Sequence, residues 1–346
     1  MRPIMPRVGY VYDPLYLEHE MPGHPERPDR LRAIMSHLEE SDVLAQLVRI
    51  EARDASWEEL RFAHTESLIE AVAATSGVDR HWFDADTYAV ARSYDAALRA
   101  AGGVLAATEA VLKGEVDSAF CLVRPPGHHD TPDRAMGFCL FNNIAVAAAH
   151  ALEEGIERVA IIDIDVHHGN GTQDIFYEDP RVLYFSTHQF PHYPGTGYWT
   201  ETGSGDGDGT TINVPLPRGC GDDAYLRCYR ELCVPAVRRF RPQLIFVSAG
   251  FDAHFADPLA QMLLSTRGYY EIASLIREFA DELCDGRAVY ALEGGYDLTA
   301  IAWSARACID TLLGNPFAED PLGKGPVVPG PNVEPLLAEV KRQHSL

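Results

Sequence analysis

Val159-Ala-Ile-Ile-Asp-Ile-Asp-Val-His-His-Gly-Asn-Gly171 is the stretch whose reading decides the fold. Its first four residues form an apolar run of the length expected for a strand buried on both faces of a parallel sheet. From Asp163 to Gly171, carboxylates, imidazoles and glycines then crowd together. Ligands of parallel α/β sheets bind beyond the carboxyl ends of the strands, which is where these groups fall. Extended backbone sends alternate side chains the same way, so Asp165 and His167 can converge on one point. A carboxylate and an imidazole so placed are two thirds of a catalytic zinc site. A merely capped strand end would not carry this density of ionisable groups, which are costly to bury without a use.

The same arrangement recurs along the chain. Apolar runs predict strands at 7–12, 119–123, 159–162, 182–186, 243–248 and 287–292, and helical periodicity falls at 29–40, 56–75, 88–113 and 142–153. Four of the strands run into polar clusters: Arg124-Pro-Pro-Gly-His-His129, the Asp163 segment, Ala249-Gly-Phe-Asp-Ala-His254 and Glu293-Gly-Gly-Tyr296. This alternation predicts a single three-layer α/β fold with its site at one edge of a central, mostly parallel sheet. Residues 1–315 read as one catalytic domain. Residues 316–346 read as a Pro/Gly-rich, solvated segment with a short helix at 334–343.

Several stretches carry weaker signals. His19 and His24 are five apart, with Pro and Gly between them, whereas helical zinc ligands need a separation of four. A Pro-rich surface loop is expected there. Phe83-Asp84-Ala85-Asp86-Thr87 is an acidic loop leading into an Ala-rich helix. Gly203–Gly209 resembles a calcium loop only faintly, because position twelve counted from Asp206 is Pro217 rather than glutamate. A flexible turn is expected.

Composition bounds the function. The formal charge of −22 over 346 residues disfavours nonspecific nucleic-acid binding and mildly favours cationic ligands, although a solvating acidic surface explains it equally well. The seven cysteines contain no Cys-x-x-Cys, so free thiols in a reducing compartment fit better than a disulfide framework. There is no signal-peptide core at the N-terminus and no apolar run of membrane-spanning length, so a cytoplasmic protein without a membrane partner is expected. Nothing in the sequence excludes a homo-oligomer.

The clusters read together give a mechanism. Asp252 can join Asp165 and His167 as third ligand, leaving a fourth position for water, as in catalytic rather than structural zinc. Two carboxylates would neutralise the ion and moderate its Lewis acidity, so a phenol such as Tyr296 would help to polarise a carbonyl. A water attacking an amide needs a proton acceptor and later a donor to the leaving amine, roles open to His128 and His129. Adjacent imidazoles need partners that separate their roles, and Asp163 and Asn170 are candidates.

These motifs resemble the zinc-dependent histone deacetylase and deacetylase-like amidohydrolase family. The matching stretches are RPPGHH (124–129), GFCLFNN (137–143), DIDVHHGNGTQ (163–173), YPGTG (193–197), SAGFDAH (248–254), DPL (257–259) and LEGGY (292–296), in family order over roughly residues 10–315. The second motif and Asn170 resemble the class II branch, including its bacterial members. The resemblance implies an arginase/deacetylase-like α/β/α fold, with zinc on Asp165, His167 and Asp252 and with Tyr296 stabilising the oxyanion. It further implies His129 as general base and acid, with His128 its electrostatic neighbour paired to Asp163. Gly137 would accept the substrate amide, Phe138 and Tyr193 would wall a tunnel, and Asp84 or Asp86 would be the acidic rim residue. A potassium ion is implied near Asp163, Asp165, His167 and Ser186.

Asp130 and Asp133-Arg134 fall where relatives vary, so the rim is expected to differ there. Leu259 stands where polyamine-selective members carry a glutamate, which favours acylated lysine over acetylpolyamines as substrate. Two other readings compete. A dimanganese ureohydrolase of the arginase type would need a further carboxylate where His254 stands. A catalytically silent protein that binds acylated ligands would have little use for Tyr296 and His129.

Overall fold

The computed structural model describes residues 6–326 and 329–346, so parts of the two expected segments, 1–5 and 327–328, lie outside the described residues. The strands are β1 (Val8–Val11), β2 (Val48–Ile50), β3 (His81–Trp82), β4 (Tyr88–Ala89), β5 (Ser118–Cys121), β6 (Val159–Asp163), β7 (Val182–Gln189), β8 (Thr211–Leu216), β9 (Leu244–Ala249) and β10 (Ala288–Leu292). β3 and β4 form an antiparallel ribbon. The other eight make one sheet in the order β2-β1-β5-β10-β9-β6-β7-β8, every neighbouring pair parallel.

Every residue of β5 through β10 is buried, which requires cover on both faces. The helices are α1 (Asp29–Glu40), α2 (Trp57–Leu60), α3 (Glu66–Ala73), α4 (Ser93–Leu112), α5 (Asn143–Glu153), α6 (Asn170–Phe176), α7 (Asp222–Cys228), α8 (Val234–Phe240), α9 (Thr266–Leu283), α10 (Leu298–Leu313) and α11 (Glu334–His344). α4 packs with α5, and α10 packs with both α1 and α9. The result is an α/β fold around a parallel sheet.

The strand order is what assembles the site. The four clusters follow β5, β10, β9 and β6, which are four adjacent strands at the centre of the sheet. β9 and β10 come late in the chain and insert between β5 and β6. Residues as far apart in sequence as His128 and Tyr296 thereby meet at one edge.

Some local expectations differ from the structure. The helix expected over 56–75 is two helices, because Thr65 restarts it: its Oγ1 accepts the Leu68 N–H while its own N–H donates to Pro132 O. The helix expected from 88 starts at Ser93, since Tyr88 and Ala89 are drawn into the ribbon with β3. The His19–His24 loop is at the surface at Glu20, Pro22 and Gly23, but His19, His24 and the following Glu26 turn inward and are buried. Polar partners accompany that burial: His19 Nδ1 pairs with Ser93 Oγ, and Arg124 binds Glu26. Nor is the C-terminal helix merely solvated. Leu337 and Val340 of α11 are buried, and the helix packs on edge strand β8. Cover over a sheet edge removes a pairing hazard.

Candidate active site

Asp165 and His167 lie just past β6, and Asp252 just past β9. His167 Nδ1 is 3.1 Å from Asp165 Oδ1 and 3.1 Å from Asp252 Oδ2. The three side chains bring ligand atoms within 4.8 Å of one another. Backbone donors hold the remaining oxygens: Asp165 Oδ1 accepts the His167 N–H (2.8 Å), Asp165 Oδ2 the Gly294 N–H (2.8 Å) and Asp252 Oδ1 the Val166 N–H (2.9 Å). Asp252 Oδ2 is buried, and apart from the approach of His167 Nδ1, which lacks hydrogen-bond geometry, it has no partner. Burial and the neighbouring Asp165 push the Asp252 carboxyl above its usual range. Buried carboxylates that repel one another, with an acceptor left over, fit a divalent cation. A side chain at position 294 would collide with Asp252 Oδ2, so only glycine fits there.

The two imidazoles after β5 differ sharply. His128 Nδ1–H donates to Asp163 Oδ2 (3.0 Å), and Asp163 also accepts the Tyr184 O–H and the Asp165 N–H. Burial pulls the His128 imidazole down, but Asp163 and Asp165 outweigh it and raise the ring to about 10. His129 Nδ1–H donates to Asn170 Oδ1 (2.9 Å), and Asn170 Nδ2 donates back to His129 O, which fixes the amide orientation. That leaves His129 Nε2 as the free acceptor. Burial, with His128 and His167 alongside, holds the His129 ring well below the usual imidazole range.

Tyr296 follows Gly294-Gly295, the latter at φ +112°. Its ring meets Phe138 edge-on at 6.0 Å and lies under the Arg30 guanidinium at 4.9 Å. Burial raises the phenol well above its usual range, keeping it a hydrogen-bond donor. Its backbone N–H donates to Asp257 Oδ2 at 2.6 Å. Burial and the nearby Asp252 push the Asp257 carboxyl up to about 7, against the backbone donors that favour its ionised form.

A cavity of about 360 Å³ opens above these groups, walled by Phe138, Tyr193, Leu259, Pro126 and His24, with His128, His129, His167 and Tyr296 among its lining. Tyr193 meets His129 edge-on at 5.0 Å. Gly137 sits at φ +59°, and a Cβ there would run into the His129 ring. Of the two rim candidates, Asp86 lines the cavity. Asp84 Oδ1 instead accepts the Asp86 and Thr87 N–H groups and shapes the turn. Ser186 pairs with Asp163 across the β6–β7 register. Its hydroxyl donates to His188 Nδ1, whose Nε2–H donates to Gly197 O.

Several residues escaped the sequence reading. Glu293 Oε2 accepts the Gly127 and His128 N–H groups, tying the two histidines' loop to β10. Arg30 is fully buried: Nε donates to Gly295 O at 2.6 Å, another nitrogen to Glu293 O, and Nη1 to Glu26 Oε1 at 3.0 Å. Arg124 grips the same glutamate. Glu26 and Arg30 are only four residues apart, but Arg124, which stands in a quoted motif, is 98 residues from Glu26, and that pairing has no local signal. Asp130 is not at the rim as expected; it is buried, 3.6 Å from His64 Nδ1. His254, the position at issue for a second metal, points away, bonded to Thr266 Oγ1 and the Ala256 N–H.

Comparison with known proteins agrees with this geometry. The histone deacetylase domain matches residues 24–312. A probable deacetylase of Archaeoglobus fulgidus is 45% identical over 296 residues, 84% of this chain and 81% of that protein. A histone deacetylase-like amidohydrolase of Pseudomonas aeruginosa is 43% identical over 305 residues, 87% of this chain and 80% of that protein. The crystal structure of the HDA15 HD domain superposes with a TM-score of 0.90 at 38% identity, covering 98% of this chain and 94% of that one.

Proposed function

The chain belongs to the histone deacetylase family of hydrolytic deacetylases, and from that premise we propose that zinc is its cofactor and acylated lysine side chains or related amines its substrates. The observation that carries the metal assignment is Asp252 Oδ2, buried and without a hydrogen bond beside His167 Nδ1 and Asp165. Asp165, His167 and Asp252 would hold the zinc, which would supply Lewis acidity and a water more acidic than in bulk.

The chain's own residues do the rest. His129 Nε2 takes the proton of the attacking water and returns it to the leaving amine; Asn170 holds the tautomer this needs. His128, kept charged by Asp163, adds positive potential beside the developing oxyanion. The Tyr296 hydroxyl donates to that oxyanion. Phe138 and Tyr193 flank the alkyl chain, Gly137 O accepts the substrate N–H, and Asp86 rather than Asp84 orients the substrate backbone at the rim. The apolar Leu259 wall supports acyl-lysine over acetylpolyamines.

A dimanganese site is disfavoured: among the described residues only three ligands gather here, and His254 is committed elsewhere. A potassium ion beside Asp163, Asp165, His167 and Ser186 belongs to the same proposal. It is supported by the Ser186 hydroxyl, which donates to His188 and keeps its lone pairs for a cation. Residues 1–315 carry the chemistry in this reading, and 316–346 are a covering segment. A cytoplasmic setting is supported by the seven buried free cysteines. Among the described residues no helix is long and apolar enough to cross a membrane.

Stripping the purified protein with a chelator and reloading it tests the assignment on an acetyl-lysine peptide. One zinc per chain should restore turnover. Full activity in the stripped protein, or a requirement for two manganese ions, would overturn it.

A further inference from the structure

Asp257 lies outside the metal ligand set, yet two functional loops meet at its carboxylate. It is buried, just beyond the β9 segment that supplies Asp252, and its own N–H donates to His254 O. Oδ1 accepts the Leu259 N–H at 2.9 Å. Oδ2 accepts the Tyr296 N–H at 2.6 Å and the Asp297 N–H at 3.3 Å. Leu259 and Tyr296 both line the cavity. Asp297 caps α10, its side chain accepting the Thr299 and Ala300 N–H groups.

Tyr296 therefore sits between a glycine at φ +112° and a helix cap, and glycine on its own leaves the chain free to pivot. On the Gly295 side, Arg30 anchors the carbonyl. On the Tyr296 side, the anchor is Asp257. Three backbone donors converge on two oxygens, a demand that a carboxylate meets and an amide does not. After an Asp257→Asn substitution the amide nitrogen would face either the Leu259 N–H or the Tyr296 and Asp297 N–H groups, donor against donor.

We propose that Asp257 is a positioning residue for this hydrolysis: it fixes the Tyr296 backbone so that the phenol is aimed at the reacting carbonyl, and it sets Leu259 across the mouth. The proposal rests on the reading of Tyr296 as oxyanion donor. Asp257 itself touches neither substrate nor metal in this account.

The test uses zinc-loaded wild type, Asp257→Asn, Tyr296→Phe and the double variant, each on acetyl-lysine and trifluoroacetyl-lysine peptides. Deleting an oxyanion donor costs about 100–1000-fold in kcat, which sets the scale for Tyr296→Phe. A misplaced group costs up to about 100-fold, so Asp257→Asn should lower kcat on acetyl-lysine by about 10- to 100-fold while KM hardly moves. The loss should be smaller on trifluoroacetyl-lysine, whose carbonyl is already electrophilic, and absent in the Tyr296→Phe background. Asp257→Glu retains two carboxylate acceptors and should recover part of the rate; it also carries the cycle if Asp257→Asn does not fold. Additive losses in the double variant, equal losses on the two substrates, or a wild-type kcat in Asp257→Asn would each overturn the proposal. A Tyr296→Phe enzyme near wild-type activity would instead remove the oxyanion reading, and this inference with it.

Discussion

Glu59, Glu109 and His150 gather three ligand atoms within 4.8 Å of one another, as Asp165, His167 and Asp252 do. The surroundings differ. Arg53 lies between the first pair of carboxylates, donating to Glu59 at 2.9 and 2.6 Å and to Glu109 at 2.6 Å, while Lys113 adds a 3.1 Å bond to Glu109. Burial works against ionised Glu59, but Arg53 outweighs it and draws the carboxyl down to about 2. The site is half-open to solvent and its charge is already balanced. At Asp165 and Asp252, among the described residues, no lysine or arginine forms an ion pair; only histidines do. One buried oxygen there has no hydrogen bond. Convergence of ligand-type residues alone does not tell the two groups apart. What remains unsatisfied after the protein has made its own bonds does.

Removing one member from each group breaks or upholds that contrast most directly. Asp252→Ala deletes the unsatisfied oxygen and should take the zinc and the activity with it, down to the background of the assay. Glu109→Gln should leave zinc content and kcat where they are, because Arg53 keeps Glu59 and Arg53 with Lys113 already balances the charge of the group. Elemental analysis and a peptide assay on both proteins decide the matter. Full zinc occupancy in Asp252→Ala would refute the ligand assignment, and zinc lost from Glu109→Gln would refute the contrast.

Glu26 sharpens the comparison from the other side. It is as buried as Asp252, but every strong demand at it is met: Arg30 and Arg124 both grip it, and they draw its carboxyl down to about 2 against the burial that would raise it. Such a group should serve the architecture. Breaking a buried ion pair by removing one partner costs about 3–5 kcal/mol, so Glu26→Gln should lose about that much stability in chemical denaturation. Zinc affinity of the folded protein should be kept, since no ligand is touched. A variant of wild-type stability would show that the two arginines find other partners.

The two regions also differ in how far the sequence reveals them. The proposed metal corner is legible because its candidate ligands follow apolar strand-forming runs and lie two residues apart, at Asp165 and His167, on one side of extended backbone. The parallel sheet is legible for the same reason: Val159–Ile162 and Leu244–Val247 are apolar without alternation. What the sequence hides is pairing at long range. That β9 and β10 insert between β5 and β6 is a matter of strand order, and no local pattern encodes it. Glu26 with Arg124, and Asp257 with the Tyr296 N–H, are contacts made by that order. β8 was obscured by Pro215, tolerable there because the strand is at the sheet edge. Asp84 and Asp86 needed the turn itself to separate capping from lining.

The smallest expected effect concerns charge rather than ligands, and it probes why the two neighbouring histidines differ. Burial lowers His129, and the charged His128 beside it lowers it further. The proposed base should thus stay neutral as the pH falls through 6.5, the ordinary value for the ring, and the acid limb of kcat/KM should lie below that point. His128 owes its charge chiefly to Asp163 and Asp165, which overcome its burial. In Asp163→Asn the carboxylate is gone while an amide of the same size remains, so His128 holds its proton less tightly. His129 then loses part of the neighbouring positive charge, and its affinity for a proton rises. A base that protonates more readily is lost at higher pH, so the acid limb must move upward, and Asp163→Asn should lose more of its activity than wild type on the acidic side. The measurement is kcat/KM at matched zinc content over about pH 5 to 8, the range in which imidazoles ordinarily titrate. An acid limb that stays put, or moves to lower pH, would mean that His128 is not the group holding His129 neutral.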